Sequence, residues 1–563
     1  MKRLKKTSLI VSTILFVSLF TCKNKTQYPN PELASLNLLR GELILCTGDQ
    51  FGDVSFALSC NYDMRETFDL AISLLHSFEY EEAEKAFVQV LDADPDCAMA
   101  YWGVAMSISH SLWYQSDNSY LEKGSKLMEI ANKFPIADRE RDYIDAITEY
   151  YKNWKTLNKH ERSLLYEKKM EAIYKKYPDD TEAAVFYALA LRASAVNTDK
   201  SYVNQKKSGK ILEKLFIEQP NHPGIAHYII HNYDYPELAH LALPTARRYA
   251  SIAPASSHAQ HMPSHIFTRL GLWDESIESN INSASSARCY AEARNMDGHW
   301  SNELHAMGYL VYAYLQKGDN ENALEQYEYM KTMHKIYPSN ISAIAYPFAS
   351  IPARIALENR QWENAAQIEP HDSELQWEDY PWQKSLIHFA RAIGSAYQKD
   401  FSSTERELEI LNSLHREIEN SGNKVIANQV LVQIKLTQGC LSFLSDKQSE
   451  GIAILHEAVE MEDMVGKHGV TPGKLIPARE FLADMLMKMN QSDEALLVYE
   501  QNLKVNPNRF NGLYGAAIAA EQSGNKEKAK DYFNQLIELV KNSNTNRPEI
   551  VEAQTFIEKN QSI

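Results

Sequence analysis

An all-α fold is predicted for this chain: an α-solenoid of stacked antiparallel helix pairs with a concave inner face. Three observations carry the expectation. Apolar residues recur at helical spacing through most of the sequence, and no long alternating strand pattern interrupts them. Small and aromatic residues repeat 34 positions apart, Ala495 with Ala529 and Tyr499 with Phe533. Proline and glycine fall between the periodic stretches, as at Pro507 and Gly524, where helices end.

The first element, residues 1–21, reads as a secretory leader. A basic start, "MKRLKK", precedes a 14-residue apolar run, "TSLIVSTILFVSLF", too short for a comfortable permanent span. Leu19-Phe20-Thr21-Cys22 is similar to a bacterial lipobox, which implies cleavage before Cys22 and a lipid on its thiol as membrane anchor. Phe20 and Thr21 replace the usual small residues, so secretion without lipid and an uncleaved anchor are the alternatives. Each places the protein outside the cytoplasm, and the expected location is the bacterial cell envelope, at the outer membrane or periplasmic face.

The formal charge is −16, and four basic residues lie in the leader, so the remaining chain carries −20. Nucleic acid and anionic lipid surfaces need a basic footprint, so nucleic acid is excluded as partner. In the second element, residues 22–62, Cys46 and Cys60 bracket "CTGDQFGDVSFALSC" and are expected to pair as a disulfide outside the cytoplasm. Cys97, Cys289 and Cys440 stand alone within helical patterns and read as small buried apolar residues. With no CxxC pair, a cysteine zinc site is not expected.

Residues 63–365 form the main array, 366–485 a less regular helical region, 486–545 a regular pair of repeats, and 546–563 a tail. The pattern of "NQSDEALLVYEQNLKVNPN" and "GNKEKAKDYFNQLIEL" fits "FEYEEAEKAFVQVLDADPDCAMAYWGVAMS" as well, with Ala83, Phe87 and Pro95 in matching places. It resembles the tetratricopeptide repeat, whose unit is a helix pair of 34 residues. A small alanine lets the partner helix approach, an aromatic fills the space beside it, and proline ends the second helix. Stretched copies begin at Gly271 and Gly318, 47 positions apart.

The chemistry-bearing feature is histidine. Of 18 histidines, nine lie in residues 222–305, where an even spread would place fewer than three. In "GIAHYIIHNYDYP", His227, His231 and Asp234 fall at offsets 0, 4 and 7, one narrow face of a helix at ~100° per residue. Pro236 sets Asp234 at or near the helix end. In "SSHAQHMPSHIF", His258, His261 and His265 fall at offsets 0, 3 and 7, again one face if the helix is continuous. If Pro263 opens the helix instead, His258 and His261 lie in the lead-in loop. Alternate helices of a repeat array line one wall, so the two groups are expected to face each other. His305 is the candidate for a third wall, with Asp297 and Glu303 as nearby acceptors.

Imidazoles without thiolates suit zinc, copper or iron, and a ligating histidine commonly donates its other N–H to a carboxylate or carbonyl. The candidate metal set is therefore His227, His231, Asp234, His258, His261, His265 and His305, with Asp234 as ligand or orienting group. The competing reading is a polar groove built for a peptide or small ligand. Arg247 and Arg248 read as a solvated helix edge, and His110 with Trp113 as repeat packing.

The stretches "HYIIHNYDYPELAHLAL" and "HAQHMPSHIFTRLGLW", with "LLHSFEYEEA" and "CAMAYWGVAMS", resemble a group of bacterial envelope tetratricopeptide proteins of unassigned activity with a histidine-rich central repeat pair. The resemblance spans residues 40–330. It implies that His227, His231, His258, His261 and His265 share one site, with His76 and His110 nearer its entrance. No Gly-rich phosphate loop, G-x-S-x-G elbow or H-E-x-x-H is present. The expected function is an envelope-anchored binding or scaffold module, holding a protein, peptide or small ligand in its groove beside the histidine site. The alternative is a metal-dependent enzyme, hydrolytic or oxidative, using the same histidines.

Overall fold

The computed structural model describes Leu33 and residues 36–560, apart from residues 47, 49, 61, 113–116, 197–198, 340–341, 466–468 and 470. The leader, Cys22 and Trp113 lie outside the described residues. From residue 65 the chain runs as helix pairs. The first are Arg65–His76 with Tyr80–Ala93, Ala98–Ser109 with Asn118–Ala131, and Asp138–Lys152 with Lys159–Lys176. Thr181–Ser194 with Val203–Glu218 and Pro223–Tyr233 with Ala239–Ile252 follow. Among the described residues the strands amount to one two-residue parallel bridge, His299–Trp300 with Ile336–Tyr337. None of the described helices is long and apolar enough to cross a membrane.

The stacking device is the same at both ends of the chain. Ala83 and Phe87 are fully buried, and a Cβ on Gly103 would lie 2.3 Å from the Phe87 ring. Sixteen residues after Tyr499, a Cβ on Gly515 would likewise lie 2.3 Å from that ring. In each case an aromatic on the second helix lies flat on the glycine of the next, so the helix axes approach closely. The stretch set apart as a tail instead carries the helix Pro548–Asn560, docked with Phe556 against Phe533 at 4.8 Å between rings.

Described residues 36–60 have no helix or strand and run along the array. The Leu39 and Ile44 N–H groups donate to Glu84 and Glu82, Phe56 N–H to Asp69, and Ser59 N–H to Glu140. This path overturns the expected Cys46–Cys60 disulfide. Cys46 is bonded to Cys289 and Cys60 to Cys97, so Cys97 and Cys289 are not free packing residues, while Cys440 is free and buried. Fourteen extended residues span up to ~46 Å, and each cysteine therefore meets a different helix. The loops closed are 243 and 37 residues, for which chain entropy gives a stabilisation on the order of 4 to 5 kcal/mol each. The double variant Cys46→Ala/Cys289→Ala is expected to lower the unfolding free energy by an amount of that order, read as a lower urea midpoint. An unchanged midpoint would show that the staple adds nothing.

The C-terminal repeats fold back on the middle of the chain. Trp273 Nε1 donates to the Asn508 carbonyl at 2.7 Å, and Asn508 Nδ2 to the Gly271 carbonyl at 3.2 Å. Gly271 is left-handed, φ +66°, and a Cβ there would meet the Pro507 carbonyl oxygen at 2.5 Å. At the centre of this junction Arg509, 1% exposed, donates to Glu480 at 2.9 Å, to both oxygens of Glu358 at 2.8 and 3.0 Å, and to Tyr312 Oη at 2.9 Å.

Candidate metal centre

Three consecutive inner helices build the site. Pro223–Tyr233 starts at His222, whose Nδ1 accepts from Ile225 N–H, with Pro223 pre-set for the first turn. Every residue of that helix is buried, and His227 and His231 lie one turn apart. Asp234 is its C-cap, the end that Pro236 imposes. The next inner element is Ser257–His261, capped by Ser256, whose hydroxyl accepts from Ala259 N–H and donates to Glu79 at 2.6 Å. Met262 keeps helical angles and leads into Pro263–Leu270. Pro263 thus restarts a helix rather than opening one, and His258, His261 and His265 all sit on helix. The third element, Ser301–Gln316, brings His305.

These residues form two triads. The Nε2 of His227 lies 2.9 Å from Nε2 of His231 and 3.1 Å from Nε2 of His258. His261 Nε2 lies 3.0 Å from His265 Nε2, and the His305 ring sits 4.4 Å from the His261 ring between centroids. Within each set all three ligating atoms lie within 4.8 Å of one another. The sets adjoin: the rings of His231 and His265, and those of His258 and His261, are 6.5 Å apart. The three-residue face 258–261–265 is therefore split between two sites, because its neighbours are His227 on one side and His305 on the other.

The other ring nitrogens fix the tautomers. His227 Nδ1–H donates to the His76 carbonyl at 2.6 Å, His261 Nδ1–H to Asn280 Oδ1 at 2.7 Å, and His265 Nδ1–H to Asp234 Oδ2 at 2.8 Å. Arg269 Nε donates to the second Asp234 oxygen at 3.1 Å. With both Nδ1 positions protonated, the Nε2 lone pairs of His261 and His265 face each other at 3.0 Å. Two lone pairs at that distance repel unless a cation lies between them. Ligands of a tetrahedral zinc-sized ion would be ~3.3 Å apart, so small rotations suffice. Burial disfavours the imidazolium: His227, His265 and His305 are pushed down to about 3, and His231, His258 and His261 well below the ordinary imidazole value.

Each triad is covered by an aromatic side chain. Phe78, left-handed at φ +58°, lies 4.4 Å from the His227 ring and 5.5 Å from that of His258. A phenylalanine in that conformation costs on the order of 1 kcal/mol, which its packing over the imidazoles offsets. Tyr309 lies 4.7 Å from His261 and 5.0 Å from His265, and its hydroxyl donates to the Thr471 carbonyl at 3.2 Å. His258 and His305, one from each triad, are half-buried; the other four are buried.

A third cluster has a different character. His76 and His222 donate from Nε2 to the two oxygens of Glu182, each at 2.8 Å, and their Nδ1 atoms accept from Tyr228 Oη and Ile225 N–H. All of these bonds are complete without a cation. The cluster is the scaffold behind the site, since the His76 carbonyl orients His227. His76 is accordingly in the interior and not near an entrance: its ring is fully buried, and a Cβ on Gly224 would meet it at 2.6 Å.

Asp234 is outside both triads and orients His265. Glu303 takes no part in holding His305; it accepts from His299, Arg288 and Tyr329. Asp297 pairs with Lys335 at the surface. Exposed Arg247 bonds half-buried Glu275, and Arg248 reaches Asn221. Asn280, Phe78 and Tyr309 escaped the sequence reading, and His76, expected near the entrance, lies behind His227 instead. Only Asn280 carried a trace, as a carboxamide amid a serine- and alanine-rich helix.

Two stretches, residues 68–107 and 482–544, match the tetratricopeptide repeat model. The chain carries tetratricopeptide repeats. Among curated proteins none matches the sequence significantly. Of solved structures, yeast Tom70 is similar over 89% of this chain and 96% of its own, with 12% identity and a TM-score of 0.36. The human IFIT1 dimer with m7Gppp-AAAA covers 86% of this chain and 96% of its own, with 14% identity and a TM-score of 0.32. The architecture is a repeat solenoid of helix pairs, and fold alone assigns it no chemistry.

Proposed function

We propose that this is an exported repeat protein that holds two metal ions side by side on its inner wall, one in each histidine triad. The observation that carries the reading is the pair of inward Nε2 atoms of His261 and His265, 3.0 Å apart, with both Nδ1 protons committed to Asn280 and Asp234. The donors are nitrogen only, which suits zinc, copper or iron. What the chain contributes is orientation: the His76 carbonyl, Asn280 and Asp234 hold the rings so that the lone pairs converge. Two disulfides and the leader support a location outside the cytoplasm, lipid-anchored through Cys22 in the cell envelope.

The array serves as the binding module around that centre. A cavity of about 210 Å³ lies between the middle and C-terminal repeats, with Tyr235, Arg269, Tyr346, Trp382, Thr471 and Gly473 among its lining. Arg269 touches the cavity on one side and Asp234 on the other, so a protein segment or small ligand there lies two side chains from His265. That link favours, as second reading, a metal-dependent enzyme whose substrate occupies the cavity. Elemental analysis of the full-length protein, after incubation with zinc, copper or iron and removal of excess, is expected to give about two equivalents. His231→Ala and His265→Ala should each bind about one. No bound metal in the parent would overturn the proposal.

A further inference from the structure

We infer that the paired triads take copper in its monovalent state and bind one molecule of dioxygen between the two ions. This rests on the two-metal reading above and adds the identity of the metal and its ligand.

The donor set decides the charge. Neither triad contains a carboxylate or a thiolate. The nearest acid on the ring nitrogens, Asp234, is shared between His265 and Arg269 and is neutralised by the guanidinium. The ions would therefore sit among neutral imidazoles in a mostly buried wall. The cost of burying an ion rises with the square of its charge, so two divalent ions cost about four times what two monovalent ions do. Among ions that favour imidazole nitrogen, copper is the one with a stable monovalent state, and three nitrogen donors fill its trigonal coordination. Zinc at either site would take a water as fourth ligand and would keep its full divalent charge among the neutral imidazoles.

The same arithmetic admits dioxygen. Each copper(I) gives one electron, and dioxygen gains both, reaching the level of peroxide with no proton required. The pair starts with a total charge of two positive. After transfer, two copper(II) ions and one dianion again sum to two positive, so the buried site undergoes no net change of charge. A hydrolytic cycle at the same place would alter it. Access is available on one side: Phe78 and Tyr309 cover the triads, whereas His258 and His305, one from each, are half-buried. The rings of His231 and His265 lie 6.5 Å apart between centroids, so the two sets adjoin, and the shared diatomic ligand requires the two ions to face each other across that gap.

The test is anaerobic loading of the full-length protein with a copper(I)–acetonitrile complex, without thiol, so that the disulfides stay intact. Two coppers per chain and uptake of one dioxygen per pair are expected, with a new near-ultraviolet charge-transfer band and no copper(II) EPR signal from the coupled pair. His258→Ala and His305→Ala, both at half-buried positions, should each retain about one copper and take up no dioxygen at the pair. Two equivalents of zinc or copper with no dioxygen uptake would overturn this inference and leave the paired centre standing. No bound metal would remove both.

Discussion

Replacing Arg509 by methionine is expected to destabilise the protein by on the order of 3 to 5 kcal/mol and to loosen the C-terminal repeats from the middle of the chain. The guanidinium is 1% exposed and satisfies two carboxylates, Glu358 and Glu480, each about 3% exposed, together with Tyr312 Oη. Those carboxylates come from helices that lie far apart in sequence, Ser342–Glu358 and Ala478–Lys488. Methionine fills similar volume, so the cavity term is small. The loss comes from two buried anions left without their cation. Chemical denaturation measures it, and the triple variant Arg509→Met/Glu358→Gln/Glu480→Gln should recover much of the stability. A single variant as stable as the parent would show that the junction is held by packing alone.

Lowering the pH of the metal-free protein should unfold it over a range where most proteins remain stable. The six site imidazoles are neutral in the folded chain because burial pushes them down, three of them to about 3, against 6.5 in the unfolded chain. Below pH 6.5 the unfolded state therefore binds protons that the folded state does not. Stability is fully present above about 6.5 and falls as the pH drops towards 3. A single such group contributes on the order of 2 kcal/mol of loss between pH 6.5 and 5, and several act together. Bound metal should shift the acid transition downward, since protons must then displace it. An acid midpoint that is the same with and without metal, and near pH 3, would contradict this account.

The repeat architecture is visible in the residues because it rests on local features. Helical periodicity, the Ala83 and Phe87 spacing, and the terminating prolines act within one or two units, and the structure uses them as such. His227 and His231 share one helix face by arithmetic, and they do share a triad. The division of His258 from His261 and His265 was out of reach, because the three lie on one arc and only the flanking helices differ. His76 orients His227 across 151 residues through a backbone carbonyl, which has no sequence signature at all. Nearest-neighbour pairing of Cys46 with Cys60 assumed a local hairpin, whereas the segment is threaded along the array and bonded to Cys97 and Cys289.

Arrays of this kind usually behave as springs, with each unit answering only to its neighbours, so that units can be gained or lost one at a time. The contact between Gly271 and Pro507 removes that freedom. Thirteen residues from His258 the chain is already keyed to a segment more than 230 positions later, through Trp273 and Asn508. Deleting a single unit between them would shift Asn508 and Arg509 out of reach of their partners. The intervening helices are thus fixed in number as well as in order, and the chain is built to a length rather than to a pattern.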